Sequence, residues 1–150
     1  MLTLEPLRDE DSDALFAWIN DADLVALSAV FRPVSRAEHD AWFADVRSRP
    51  DVLLRAIRDD GALIGTCQLL VDGDEAELRI RIGVAGARDR GAGTWAVREL
   101  VRVGFEELGL RRIWLQVFAV NARAIRVYEK AGFTRVSEGS TCVMEIRATT

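Results

Sequence analysis

The chain has 150 residues, of which 49% are hydrophobic and 29% charged, and its formal net charge is −4. This is the composition of a globular protein, and no apolar run approaches the ~18 to 20 residues that would span a bilayer. The acidic balance and the scattered arginines disfavour nucleic acid as a partner.

The length suits one domain over residues 1–150, and no linker, repeat or low-complexity tract divides it. The first stretch, MLTLEPLRDEDSDALF, lacks the basic start and long apolar core of a signal peptide, so we predict a cytoplasmic protein. The two cysteines, Cys67 and Cys142, have no CxxC spacing, and His39 is the only histidine. We therefore expect free buried thiols and no metal site.

The amino-terminal half predicts a strand, two helices and a β-hairpin. LTLEPLR alternates like a strand, and the acids from Asp9 to Asp13 supply caps for a helix that follows. A second helix is predicted to start at Ser35, because Ser35 and Glu38 have the spacing of a capping box. DVLLRAIRDDGALIGTCQLLV predicts a hairpin, with two β-rich runs separated by Asp-Asp-Gly.

The carboxy-terminal half predicts a strand, a glycine-rich turn, a helix and a second strand. Leu78, Ile80 and Ile82 alternate with polar residues, and the helix is predicted from Thr94 to Leu108. A helical crossover between two strands of one sheet makes them parallel, and the ends of such strands can open into a crevice. RRIWLQVFAV is that second strand, ARAIRVYEKA a short helix, and FTRVSEG with CVMEIRA a terminal antiparallel pair.

The glycine-rich turn GARDRGAGTWAVREL predicts an anion site at the start of a helix. Gly91 and Gly93 carry no Cβ atom, so the backbone there can approach a ligand closely. The amides of the first helical turn also carry a partial positive charge. This arrangement suits a pyrophosphate, and Arg88 or Arg90 could add a charge-assisted contact. The alternative is a plain flexible turn with solvated arginines.

Two motifs carry a resemblance to a known family. RDRGAG resembles the Q/R-x-x-G-x-G/A phosphate loop of the GNAT superfamily of acyl-CoA N-acyltransferases, and NARAIRVYEKAGF resembles its N-x-x-A-x-x-x-Y-x-K-x-G-F signature. The resemblance implies an α+β GNAT fold: a mixed, mostly antiparallel sheet of about seven strands with a central parallel pair, flanked by about four helices. It also implies direct transfer of acetyl from acetyl-CoA to a primary amine.

The resemblance assigns roles to the residues of both motifs. Tyr128 would be the general acid that protonates the departing thiolate, and a backbone N–H around Ile82 to Val84 would hold the oxyanion. The alternatives are a core residue for Tyr128 and a plain helix N-cap for Asn121. The residues expected to bind coenzyme A are Ile82, Gly83, Val84, Arg88, Arg90, Gly91, Ala92, Gly93, Thr94, Asn121, Ala124 and Tyr128.

The general base is less clearly marked. Some N-terminal acetyltransferases of this superfamily use a glutamate in the strand before the asparagine, but Gln116 stands at that position here and cannot usefully accept a proton. This leaves Glu77 and His39 as candidates, acting directly or through water. The alternatives are a solvated edge carboxylate for Glu77 and an exposed helix residue for His39.

The acceptor is predicted from the segment AWINDADLVALSAVFRPVSRAEHDAWF. It resembles the amino-terminal half of GNAT enzymes that acetylate nucleotide-linked amino sugars, and ribosomal-protein-alanine acetyltransferases share much of the pattern. We therefore expect a small amine, with a sugar nucleotide favoured. The alternatives are a protein or peptide N-terminus and a catalytically silent acyl-CoA-binding module, in a monomer or homodimer. The residues expected to contact the acceptor are Arg32, His39, Trp42 and Gln116.

Overall fold

The fold is one mixed sheet flanked by helices, seen in a computed structural model that describes residues 1–26 and 28–149, with the side chains of 88–90 outside the description. The strands are β1 (Leu2–Pro6), β2 (Val52–Asp59), β3 (Ala62–Asp72), β4 (Glu75–Ile82), β5 (Arg112–Phe118), β6 (Thr134–Ser137) and β7 (Thr141–Arg147). The helices are α1 (Ser12–Ile19), α2 (Ala22–Val25), α3 (Arg36–Ser48), α4 (Ala92–Arg102) and α5 (Ala122–Lys130).

The strands are ordered β1-β2-β3-β4-β5-β7-β6 in a seven-stranded sheet. Every neighbouring pair is antiparallel except β4 and β5, which run parallel. The predicted α+β sheet with a central parallel pair is thus confirmed, as are the hairpin and the terminal antiparallel pair. The pairing of β7 with β5, which inserts β7 between β5 and β6, was not predicted.

The helices differ from the prediction in number and in one boundary. The described residues form five α-helices, where about four were expected. The additional helix is α2, which was not predicted because its 4 residues are too few to show a helical periodicity in the sequence. The helix predicted from Thr94 to Leu108 is α4 followed by a π-helical turn over Val103–Glu107. A Cβ at Gly104 would lie 2.8 Å from Ile113 Cδ1, so helix and sheet approach closely at this turn.

The helices pack against the two faces of the sheet. One face carries the main core, in which the buried side of α4 and two residues of α5, Ile125 and Tyr128, pack on the strands. On the other face, α1 and α3 cover β2 through a smaller cluster of Leu7, Leu15, Phe43, Val46, Leu54 and Ala56. The capping box of Ser35 and Glu38 at the start of α3 is present as predicted.

A buried ion pair fixes the approach to α1. Asp11 lies in the 3₁₀ turn that precedes this helix, and it accepts a hydrogen bond from Arg58 of β2 at 2.6 Å with both side chains buried. The turn and the helix are thereby tied to the sheet. Within residues 1–26 and 28–149, no helix is long and apolar enough to cross a bilayer, and no cluster of His, Cys, Asp and Glu could hold a metal ion.

Candidate functional site

The central feature of the site is a gap between the two parallel strands. β4 and β5 pair at only three positions, which end with Glu77 opposite Trp114. Beyond that point β4 continues along β3 as far as Ile82, and β5 continues along β7 as far as Phe118. The two strands therefore part, and the sheet opens at its centre as the crossover topology predicted.

The larger of the two cavities at this gap lies between the sheet and the amino-terminal helices, with a volume of about 640 Å³. Its roof includes Trp18, His39 and Trp42. Cross-strand pairing puts Gln68 beside Arg79 and Thr66 beside Arg81 on the face that α1 and α3 cover. The polar residues of the floor are Thr66, Gln68, Glu77, Arg79, Arg81 and Gln116.

The smaller cavity, of about 150 Å³, is lined by the ends of β4 and β5 together with α5. Gly93 at the start of α4 also lines it. Five residues line both cavities, so the two spaces meet in the gap: Ser28, Ile80, Arg81, Gln116 and Tyr128. A molecule in one cavity can therefore reach a molecule in the other.

The start of α4 offers backbone amides without a side-chain cap. Gly91 is the N-cap in the left-handed conformation, with φ 78°, and no described side chain bonds to the free amides of this helix. The first helical hydrogen bond runs from Trp95 N to Gly91 O at 3.0 Å, which leaves the amides of Ala92, Gly93 and Thr94 without a partner inside the helix. Helices α2, α3 and α5 have capping side chains, whereas α1 and α4 have none. Free amides at a helix start can bind an anion, as the glycine-rich turn predicted for α4.

The side chains of Arg88 and Arg90 lie outside the described residues, so the predicted contacts of these arginines with a phosphate stay predictions. Their backbone belongs to a 3₁₀ helix, Ala85–Arg90, which leads into Gly91.

Helix α5 carries the second motif. Asn121 caps the helix by accepting a hydrogen bond from Ala124 N at 3.2 Å, as the alternative interpretation of this residue expected, and it makes a further interaction as well. Asn121, Ala124 and Tyr128 all line the smaller cavity, so the capping role and a contact with a ligand are compatible.

Tyr128 is buried, with 9% of its surface exposed, yet it lines both cavities. Burial raises the pKa of its hydroxyl to about 12, and no hydrogen bond to the protein contributes to the shift. The ring packs against Phe133 at 6.0 Å between centroids. The hydroxyl therefore stays protonated over the whole neutral range at the point where the cavities meet.

The backbone donors expected to hold an oxyanion point in different directions. Gly83 N donates to Ile64 O at 2.9 Å and Val84 N donates to the same oxygen at 3.4 Å. Ile82 of β4 is paired with Gly65 of β3. The next pair along, Gly83 and Ile64, is hydrogen-bonded, so Ile82 and Gly65 form a non-hydrogen-bonded pair. The N–H groups of such a pair point away from each other. The N–H of Ile82 therefore points to the gap side of β4, whereas those of Gly83 and Val84 are engaged with β3.

The two candidate bases lie on opposite walls of the larger cavity. The Glu77 carboxylate is on the floor, at the last position before the strands part, and accepts a hydrogen bond from Arg79 Nη2 at 3.0 Å. His39 is in the roof, where its Nε2 lies 2.9 Å from Ser12 Oγ. The alternative of an exposed helix residue is wrong for His39, since only 3% of its surface is exposed.

The remaining predicted acceptor contacts line the same cavity. Arg32 is at its outer edge, with 83% of its side chain exposed and its guanidinium 3.9 Å from Glu38. Trp42 is 42% exposed, while Gln116 lies in the gap. Sequence reasoning missed the floor residues Arg79 and Arg81 as site residues, although the strict alternation of β4 had already put both on its polar face.

Comparison with known proteins adds a family and several relatives. Residues 1–134 match the family model described as the acetyltransferase (GNAT) domain. The aminoglycoside N(6')-acetyltransferase type 1 of Klebsiella pneumoniae is 28% identical over 149 residues, which cover 89% of this chain and 74% of that protein. The mycothiol acetyltransferase of Propionibacterium freudenreichii is 32% identical over 147 residues, or 91% of this chain and 44% of that protein.

Solved structures share the fold. The spermidine N-acetyltransferase from Vibrio cholerae, in complex with CoA and spermine, has a TM-score of 0.85 at 20% identity, covering 97% of this chain and 95% of that one. The aminoglycoside acetyltransferase AAC(6')-Ib, in complex with coenzyme A and kanamycin, has a TM-score of 0.83 at 23% identity, covering 98% and 95%.

Proposed function

The chain belongs to the GNAT acetyltransferase family, and we propose that it transfers acetyl from acetyl-CoA directly to the primary amine of a small molecule. One observation supports this proposal above the others: the smaller cavity and the larger cavity meet in the gap between β4 and β5, beside Tyr128. Direct transfer requires two ligands whose reacting atoms come within ~3 to 3.5 Å of each other, which such a junction permits.

The smaller cavity fits the donor, acetyl-CoA. The uncapped amides at the start of α4 suit the pyrophosphate, and the space lined by Ile82, Asn121 and Ala124 suits an extended arm that leads to the gap. A Cβ at Gly93 would lie 3.8 Å from Val127, so the backbone here is open on its ligand side.

Bound acetyl-CoA supplies a thioester, whose carbonyl carbon becomes bonded to the amine nitrogen while the sulfur leaves as the thiol of coenzyme A. Tyr128 provides the proton for the sulfur, because its hydroxyl is protonated and its side chain lines both cavities. As the amide forms, the nitrogen loses a proton that restores the hydroxyl through solvent. Because a protonated amine must also give up one proton before it attacks, transfer to an ammonium form releases one proton to solvent overall. The Ile82 N–H, on the gap side of β4, is our candidate donor to the oxyanion.

The acceptor enters the larger cavity. Its amine must lose a proton before it can attack, and we assign the accepting group to Glu77, because this carboxylate is on the floor where the gap begins. His39 is the second candidate, from the roof. Arg32, Trp42 and Gln116 are candidates for contacts with the rest of the acceptor.

A volume of about 640 Å³ under a helical roof favours a small molecule over the end of a protein chain. The relatives named above are, by their names, enzymes of aminoglycosides, mycothiol and spermidine, none of which is a sugar nucleotide. We therefore propose the class of small primary amines and keep the nucleotide-linked amino sugar as one member to be tested.

The test is acetyl transfer by the purified protein to a panel of small amines, sugar nucleotides and short peptides with free α-amines. Release of thiol and the mass of the N-acetyl product are both followed. Cys67 and Cys142 are buried, so the protein adds little thiol background. We expect acetylated small amines. Turnover of peptides alone would favour an N-terminal acetyltransferase, and binding of acetyl-CoA without any turnover would favour a silent module.

A further inference from the structure

We propose, resting on the function proposed above, that the acceptor carries an acidic group, a carboxylate or a phosphate, and that Arg81 binds this group on the floor of the larger cavity. Arg79 and the neutral donors Thr66 and Gln68 surround the same part of the floor. The acceptor is thus an amine with an anionic part, in contrast to a polyamine.

Positive charges outnumber negative ones around the larger cavity. Among the described side chains, three arginines line it, Arg32, Arg79 and Arg81, against two carboxylates, Glu38 and Glu77. Glu38 lies 3.9 Å from Arg32, and Glu77 lies 3.0 Å from Arg79. Each carboxylate therefore already has an arginine, and one cation is left over.

That cation is Arg81. Its hydrogen bond to Ser28 Oγ is long, at 3.5 Å, and none of the described carboxylates, which do not include Asp89, forms an ion pair with it. Burial lowers the pKa of this guanidinium and no neighbouring acid offsets the effect, although arginine remains charged at neutral pH. A partly buried cation without a counter-ion is costly, and an anionic ligand would remove that cost.

Arg81 lies where the two cavities meet. Its side chain lines both cavities, so it faces the place where the acceptor amine must meet the donor. Arg79 and Arg81 are on the same face of β4, roughly 7 Å apart along the strand, and both are beyond the last position paired with β5. A planar guanidinium fork there can bind a carboxylate or phosphate through two hydrogen bonds.

This lining is unfavourable for a polycation. Spermine and kanamycin, bound in the neighbouring structures, would bring several ammonium groups to a cavity in which arginines already outnumber carboxylates. Like charges facing each other cost binding energy and oppose the approach of the ligand. We therefore expect this chain to reject the acceptors of those neighbours.

The experiment compares matched acceptors that differ in the acid. The pairs are glucosamine 6-phosphate with glucosamine, for phosphate, and 6-aminohexanoate with hexylamine, for carboxylate; spermine is the polycation. We expect kcat/KM at least tenfold higher for the acid-bearing member of one pair, and that pair identifies the anion. Spermine should be the poorest acceptor.

The variants assign the preference to a residue. Arg81→Met should reduce the preference within the favoured pair at least tenfold through the acceptor KM, while Arg81→Lys keeps part of it. Arg135→Met, the same change on β6 at an arginine that lines neither cavity, is the control and should leave the preference intact. The dissociation constant of acetyl-CoA is measured for each variant, and thermal melting confirms that each folds.

Three outcomes would overturn the inference. If the amines without an acid, or spermine, are turned over equally well or better, the acceptor does not need an acidic group, while the proposed function stands. If the preference for the acid-bearing acceptor survives Arg81→Met, Arg81 does not bind the acid. If the variant loses only affinity for acetyl-CoA, Arg81 contacts acetyl-CoA and not the acceptor. Turnover of no amine at all would overturn the proposed function itself.

Discussion

At the scale of single residues, Tyr128 has the properties that a proton donor at the sulfur requires. It is buried, it lines both cavities, and burial raises its pKa to about 12. Because a raised pKa favours the neutral form, the hydroxyl keeps its proton at every pH at which the enzyme is assayed.

Tyr128→Phe removes the hydroxyl and keeps the packing against Phe133. We expect kcat to fall by ~10² to 10⁴-fold, with acetyl-CoA affinity changed by only a few-fold. Steady-state kinetics with a titration of acetyl-CoA checks both numbers. In the wild type, no alkaline loss of activity below about pH 10 should come from this group. Near-normal turnover in the variant would show that Tyr128 is a residue of the hydrophobic core and not the proton donor.

Glu77→Gln tests the assignment of the base. We expect kcat/KM at neutral pH to fall by ~10²-fold and to recover as the pH approaches the pKa of the acceptor amine, because the amine then deprotonates without help. His39→Gln is the comparison and should shift the profile less. If only His39→Gln produces the pH-dependent loss, the base lies in the roof of the cavity.

The sequence predicts roles for residues of both motifs because the proposed chemistry needs particular residue types at fixed spacing: glycine at 91 and 93, and a tyrosine seven positions after Asn121. The floor residues were harder to predict. Alternation along β4 assigns Arg79 and Arg81 to a face, but it says nothing about the helices lying across from that face. The burial of His39 could not be predicted for the same reason, since Ser12, its hydrogen-bond partner, is 27 residues away in the chain.

At the scale of elements, the start of α4 is the predicted binding site for the pyrophosphate. Gly93 is the better position for testing it, because Gly91 has a positive φ that any substitution would strain.

Gly93→Glu introduces a negative charge at the amides, whereas Gly93→Ala adds only a methyl group with ordinary contact to Val127. Acetyl-CoA at ~100 times its dissociation constant should stabilise the wild type by about 2.7 kcal/mol. We expect Gly93→Glu to abolish this stabilisation and Gly93→Ala to keep most of it, as measured by thermal melting with and without acetyl-CoA. A full shift in Gly93→Glu would place the phosphates elsewhere.

The end of β4 also depends on a close approach to α1. A Cβ at Gly83 would lie 2.0 Å from Trp18 Cε2, so the indole ring rests directly on this glycine. Gly83→Ala should therefore displace the roof and lower the free energy of unfolding by ~1 to 3 kcal/mol. Gly86→Ala, where a Cβ meets nothing within 4 Å, is the matched control and should be neutral. Denaturant unfolding of both variants checks this, and equal stability of the two would contradict the contact.

Most elements follow from local signals, such as the Ser35 capping box and the Asp-Asp-Gly turn. The exceptions have physical causes. Helix α2 is too short for a periodic pattern, and the π turn after α4 arises where Gly104 approaches Ile113 of β5, a contact made by the fold.

At the scale of the whole molecule, the site is produced by the topology. One parallel pair inside an antiparallel sheet lets β4 and β5 part after Glu77 and Trp114. The cavities on the two sides of the sheet then join through the gap. The crossover was predictable from the sequence, whereas the two volumes and their shared lining depend on the full packing of the helices.

The central claim is that donor and acceptor are bound together and react directly across this junction. Its most direct test is the pattern of initial rates when acetyl-CoA and the best amine are varied together, with the intact mass of the enzyme measured after exposure to acetyl-CoA alone. We predict intersecting reciprocal plots and no gain of an acetyl group by the protein. Parallel plots together with an acetylated enzyme would contradict the account, because they would show that the acetyl group moves through the protein in two separate steps.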